Sequence, residues 1–131
     1  MRTLRIAIVL ALALACAAPT AAQAARYHGR AAGNNPNGSG LIGKHRFVSG
    51  DSYAVQFRDG QAANTRYRAC AFMRGKRKGC TTSHTGGRNR WSTVTSDRIW
   101  QPDRVGRIVY RWYVDGKRVA SWSVNFEAEP E

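Results

Sequence analysis

From Leu41 onward no segment keeps a 3.6-residue apolar period; the chain runs in short alternating stretches broken by Gly, Asp and Asn. A period near two belongs to strands, whose side chains point alternately to the two faces of a sheet. Seven stretches carry it: "KHRFVS", "SYAVQFR", "TRYRACAFM", "CTTSH", "RWSTVT", "GRIVYRWYV" and "KRVASWSVNF". In "SYAVQFR", Tyr53, Val55 and Phe57 share one face while Ala54, Gln56 and Arg58 share the other. About seven short strands with turn residues between them predict an all-β chain, a small β-sandwich.

The closing hairpin allows its turn to be argued from register. In "RIVYRWYVDGKRVASWSVNF", a two-residue Asp115-Gly116 turn with uniform pairing sets Trp112 opposite Val119 and Tyr110 opposite Ser121, mixing apolar and polar positions. A three-residue loop of Val114, Asp115 and Gly116 sets Tyr110 opposite Ala120 and Ile108 opposite Trp122. It gathers Ile108, Tyr110, Trp112, Ala120, Trp122, Val124 and Phe126 on one face, with Arg107, Arg111, Lys117, Ser121 and Ser123 on the other. That register, with Gly116 left-handed in a G1 bulge, is the expected one. The stretch "VGRIVYRWYVDGKRVASWSVNF", residues 105–126, resembles the closing hairpin of secreted bacterial immunoglobulin-like modules. The resemblance implies an immunoglobulin-like sandwich serving adhesion, wall attachment or ligand binding, without catalysis.

The first residues read as a secretory signal peptide: Arg2 and Arg5 precede an apolar run from Ile6 to Ala18, then Pro19 and the small-residue site Ala22-Gln23-Ala24. Thirteen apolar residues fall short of the about 20 that span a bilayer. Cleavage before Ala25 leaves 107 residues, one domain's worth. An alternative cut before Cys16, in "LALAC", would leave a lipid-anchored thiol. The expected division is a signal peptide over 1–24, a flexible arm over 25–40, where Gly, Asn, Pro and Ser dominate, and a β-sandwich domain over 41–131. The product is secreted or associated with the cell envelope.

Cys70 and Cys80 then remain as an even pair in an oxidising compartment, at a spacing that fits a bridge across one hairpin. The cysteines of antibody-type domains, which join two sheets, lie much further apart. Between Cys70 and Cys80 stand Arg74, Lys76, Arg77 and Lys78, without an acidic neighbour. The whole chain carries a net charge of +13, or +11 without Arg2 and Arg5, so it should collect on polyanions. The basic tip is the candidate site, with Arg88 and Arg90 as extensions. The same residues also read as the polar end of a hairpin, with Gly75 and Gly79 supplying the turn.

Other constellations are weaker. "GSGLIG", Gly38 to Gly43, has dinucleotide-site spacing, but an Asn-Pro-Asn-Gly stretch precedes it and a strand pattern follows, where that site needs strand and helix. His45 and His84 define an alternative, an acid and base pair of a cationic ribonuclease-like enzyme. His28 falls in the arm, and neither the Cys pair nor the histidines have zinc spacing. Asp59 and Asp115 are accounted for by Asp-Gly turns, which leaves few carboxylates for glycoside hydrolysis. Trp112 and Trp122 belong to the core, and Trp100 in "DRIWQPDR" is expected to be exposed. The reading is a non-catalytic binding module without cofactor or metal. Its partner is an acidic polymer, a cell-wall polyanion or nucleic acid, or another envelope protein. A purely structural or protein-partner module is the further alternative, with Arg111, Tyr113 and Val119 as its outer surface.

Overall fold

The computed structural model describes residues 18–129. Most of the apolar run from Ile6 to Ala18, together with Cys16, lies outside the described residues. No helix among the described residues is long and apolar enough to cross a membrane.

A short helix, α1 (Ala21–Arg26), is capped by Thr20, whose hydroxyl accepts from the Gln23 backbone while the Gln23 side chain accepts from the Thr20 N–H. Nine strands follow: β1 (Tyr27–Asn34), β2 (Leu41–Gly43), β3 (Arg46–Val48), β4 (Ala54–Asp59), β5 (Arg66–Met73), β6 (Lys76–His84), β7 (Ser92–Thr95), β8 (Gly106–Val114) and β9 (Lys117–Glu127), with a one-turn helix α2 (Ser96–Ile99) between β7 and β8. They form two sheets, in the orders β2-β1-β4-β7 and β3-β9-β8-β5-β6. All pairs are antiparallel except β3 with β9. The chain crosses repeatedly from one sheet to the other, and the result is an immunoglobulin-like β-sandwich.

Each of the seven expected strands is present, several with shifted bounds, and two more join them: β1 where an arm was expected, and the short β2 just after it. Tyr27–Asn34 is no arm: β1 pairs with β4 along six positions, from Tyr27 opposite Asp59 to Ala32 opposite Ala54. The sandwich therefore begins at Tyr27, not at Leu41. The reason is packing across the sandwich. Strand β1 presents Gly29 and Ala31 inward, and the fully buried indole of Trp112 lies so close to Gly29 that a Cβ there would come within 2.4 Å of the ring. Small residues on one sheet make room for a large one on the other. Their smallness is also what made the segment read as a linker.

The core gathers Val55, Phe57, Tyr67, Ala69, Ala71, Ile108, Tyr110, Trp112, Val124 and Phe126, all nearly inaccessible. Within it the hydroxyls of Tyr53 and Tyr110 share a hydrogen bond. Burial raises both phenols; Tyr53 is pushed up to about 12, with the Tyr110 hydrogen bond partly offsetting the shift.

The closing hairpin has the expected inward face but not the expected register. Val114 pairs with Lys117 and Tyr113 with Arg118 around a two-residue turn, with Asp115 at φ 52° and Gly116 at φ 76°. A bulge then admits Val119 as the extra residue, so that Trp112 meets Ala120, Tyr110 meets Trp122 and Ile108 meets Val124. The tight turn and the apolar face coexist because the bulge restores the alternation that uniform pairing would break. Val119, assigned to the outer surface, is 2% exposed.

Asp59, expected only to shape a turn, is a buried junction. Its carboxylate accepts from Arg26 through Nε at 2.9 Å and Nη2 at 3.0 Å, from the Thr65 hydroxyl, and from the Gln61 and Ala62 backbone N–H groups. Burial alone would raise its pKa, but these donors together hold it well below the usual carboxylate range.

Two outcomes test this account. Gly29→Ala should lower stability by about 1–3 kcal/mol, the cost of overpacking, with an intact disulfide, measured by urea unfolding. Asp59→Asn should cost about 2–3 kcal/mol at neutral pH, the scale of a broken hydrogen bond to a charged group. Because the folded-state pKa is depressed, the wild-type advantage is complete above about pH 4 and is lost as pH falls toward the depressed value. The two proteins should then converge in acid unfolding.

Candidate basic groove on the outer sheet face

Strand β5 sorts its side chains cleanly: Tyr67, Ala69, Ala71 and Met73 are buried in the core, while Arg66, Arg68, Cys70 and Phe72 face away from it. The disulfide therefore sits on the outer face. Cys70 and Cys80 are direct cross-strand partners with Cα atoms 4.1 Å apart. It ties β5 to its edge neighbour β6 within one sheet.

The tip shrinks to a two-residue turn. Met73 pairs with Lys76, and Arg74 and Gly75 between them have φ of 53° and 75°. The second glycine of the tip is no turn residue: Gly79 lies in β6, where a Cβ would fall 2.1 Å from the Ile99 carbonyl oxygen. Its bareness lets the end of α2 lie on the strand.

The six cations grouped from the sequence do not meet. Arg77 pairs with Phe72, after a bulge, and so joins the outer face. Lys76 pairs with inward-facing Met73, and both Lys76 and Lys78 border a second recess with Arg74, Trp100, Asp103 and Arg104. Trp100, expected to be exposed, is half-buried against the core, and Lys78 Nζ lies 5.9 Å from its ring centroid. Arg88 and Arg90 follow the far end of β6, about 25 Å along the strand from the tip. Arg88 donates from Nε to the Gly60 carbonyl at 3.3 Å.

In place of the tip, the outer face of β6, β5 and β8 forms a groove of about 740 Å³. Its lining includes Arg66, Arg68, Arg77, Phe72, Thr82 and Tyr113, with Cys70 in its floor. Asp115, at the rim, is the one carboxylate among the lining residues. The Arg111 guanidinium lies over the Phe72 ring, 4.5 Å from its centroid. Among the described residues the ion pairs are Arg26 with Asp59, Arg46 with Glu127 and Asp103 with Arg104, so the groove's arginines carry uncompensated charge. Sequence reasoning placed Arg111 on this face but missed Arg66 and Arg68. The parity of Arg66, Arg68, Cys70 and Phe72 was the available signal, and it needed the choice of buried face to become a site.

His45 and His84 are not a pair. His45 stacks on Trp122 at 4.0 Å between centroids, and its Nδ1 lies 2.7 Å from the Ser123 carbonyl oxygen. Trp122 is on β9, whereas His84 ends β6, with β8 and β5 between them. Three strand spacings of about 4.8 Å separate the two by roughly 14 Å, too far for one proton relay. Among the described residues no cluster of three His, Cys, Asp or Glu is placed to hold a metal ion. On the other sheet, Trp91 lies beneath both Arg30 and Arg58, at 4.1 and 4.5 Å from its centroid. Arg30 donates to Gln56 there at 2.7 Å.

Fold and site thus define a cationic immunoglobulin-like sandwich with an arginine-lined groove. No family model matches the chain, and comparison with curated proteins finds no match. Among solved structures it is similar to the CARDB domain of the PF1109 protein from Pyrococcus furiosus, in complex with di-metal ions, at 12% identity and a TM-score of 0.45, over 79% of this chain and 93% of that one. The solution structure of the same domain gives 13% and 0.44, over 79% and 94%. The alkylpurine DNA glycosylase AlkC of Pseudomonas fluorescens, bound to DNA containing an abasic site analog, gives 12% and 0.40 over 79% of this chain and 31% of the enzyme. Likenesses at this level transfer neither ligand nor activity.

The disulfide's place predicts its effect. Closing a loop of this length removes unfolded-state freedom equivalent to about 2–3 kcal/mol. Reduction should lower the stability measured by urea unfolding by that amount, with the core's near-ultraviolet circular dichroism retained under native conditions.

Proposed function

We propose that the protein is an exported, non-catalytic module that binds an acidic polymer at the cell envelope through the outer face of β6, β5 and β8. Export is supported by the charged, apolar and small-residue pattern of residues 1–24. The observation that carries the binding reading is the groove, lined by Arg66, Arg68 and Arg77, which have no ion-pair partner among the described residues. Guanidinium groups suit this work because their planar forks match carboxylates and phosphates. Releasing counterions from a polyanion adds a salt-dependent gain for each contact.

The test removes equal charge from two places. Binding to a soluble acidic polysaccharide is followed across a salt series for wild type, for the groove variant Arg66→Gln/Arg68→Gln/Arg77→Gln, and for the tip variant Arg74→Gln/Lys76→Gln/Lys78→Gln. The groove variant should lose about 2–3 units of the slope of log affinity against log salt, and the tip variant less than about one. Equal losses would mean that the charge acts diffusely. Binding by the wild type no stronger than that of an unrelated protein of like charge would favour a structural or protein-partner module.

A further inference from the structure

The other sheet carries charge on its own outer face. Strand β4 sends Val55 and Phe57 into the core, so Gln56 and Arg58 point away from it, and β1 does the same with Arg30 between inward Gly29 and Ala31. On β7 the buried residue is Val94, which turns Thr93 outward and Trp91, just before the strand, with it. Arg30 is opposite Gln56, and Gln56 is opposite Thr93. Hydrogen bonds follow that row: the Gln56 amide donates to the Thr93 hydroxyl at 3.0 Å, and its oxygen accepts from Arg30 Nε at 2.7 Å. Gln56 is 4% exposed, so burial and both bonds fix its side chain, and through it the Arg30 guanidinium.

Arg30 is thereby held 4.1 Å from the Trp91 ring centroid, and Arg58 lies 4.5 Å from the same centroid, so at most about 9 Å separates the two guanidinium carbons. Neither takes part in an ion pair among the described residues. The Nε of Arg58 is buried with no hydrogen-bond partner among the described residues. Like charges this close, and a buried donor without an acceptor, both cost free energy. Burial and the neighbouring Arg58 charge lower the pKa of Arg30. An anion offsets all of these at once.

We infer that Arg30, Arg58 and Trp91 form a second anion site, on the opposite side of the sandwich from the groove, that takes one dianionic phosphate group. Arg30 has committed its Nε to Gln56 and has its terminal nitrogens to give, while Arg58 has its Nε. A carboxylate has one charge and two coplanar oxygens, which a single guanidinium fork satisfies. A phosphate monoester brings nearly two charges and three oxygens in a tetrahedral spread, enough to accept from both arginines and balance both. Trp91 is a positioning residue that holds the two cations by cation–π contact before the ligand arrives. Free phosphate and the terminal phosphate of an esterified molecule share this chemistry. The site stands independently of the groove and of its proposed function.

The experiment titrates isotope-labelled protein with inorganic phosphate, glycerol 3-phosphate, methyl sulfate and acetate at constant ionic strength and about pH 7.5, where phosphate is mostly dianionic. Arginine Nε–H and tryptophan indole N–H resonances are followed. Saturable shifts are expected at Arg58 Nε–H, Arg30 Nε–H and the Trp91 indole with the two phosphates, and the tighter of these tells whether the ligand is the free ion or an end group. Methyl sulfate, of like shape with one charge, and acetate should bind about tenfold more weakly. Arg58→Lys keeps the charge but removes the Nε donor, and should weaken phosphate binding about tenfold. The groove variant Arg66→Gln/Arg68→Gln/Arg77→Gln should bind phosphate here as the wild type does. Phosphate binding unchanged in Arg58→Lys, acetate binding as tightly as phosphate, or shifts confined to the groove arginines would each overturn the second site and leave the groove reading as it stands.

Discussion

The indole of Trp112 against the bare backbone of Gly29 sets the distance between the two sheets. A residue that large, fully buried, needs a facing strand without side-chain bulk, and β1 supplies it with Gly29 and Ala31. The ring's Nε1 is buried with no hydrogen-bond partner among the described residues, a cost set against the apolar contact of the remaining ring. Strand β1 is tied beside Trp112 by pairing with β4, and at its start by Arg26 on the buried Asp59. The N-terminal segment thus closes the core.

That constraint also decides where the charge goes. Once the inward positions of β5 and β8 are filled by Tyr67, Ala69, Ala71, Ile108, Tyr110 and Trp112, strict alternation sends Arg66, Arg68 and Arg111 to the opposite face. The β5–β6 bulge brings Arg77 to the same side, and the Cys70–Cys80 bridge holds the edge strand that carries it. A concentration of positive charge on one sheet face follows from packing on the other. Neutralising it by a bound polyanion would relieve repulsion that the fold itself creates.

The all-β class, seven of the strands and the hairpin bridge were legible in alternation, turn residues and cysteine spacing. Strand β1 was not, because Gly29, Ala31 and Gly33 give no hydrophobic signal; the fit of Gly29 is to Trp112, more than 80 residues away in sequence. The final hairpin revealed its inward face but not its bulge, since two registers place the same residues inward. Asp59 looked like a turn residue because it is one, its carboxylate accepting from the Gln61 and Ala62 backbone N–H groups, while its ties to Arg26 and Thr65 are tertiary. The cluster of Arg74, Lys76, Arg77 and Lys78 misled for a simple reason. Neighbours along a strand point to opposite faces, so linear density of charge is not surface density.

The groove is tested most directly by titrating isotope-labelled protein with a short polyanion and following arginine side-chain Nε–H resonances by nuclear magnetic resonance. Early, saturable shifts are expected for Arg66, Arg68 and Arg77 and for backbone amides of β5 and β6 beside them, while Arg88 and Arg90 stay in place. Shifts spread evenly over all exposed arginines, or concentrated around Trp100 and Lys78, would contradict it.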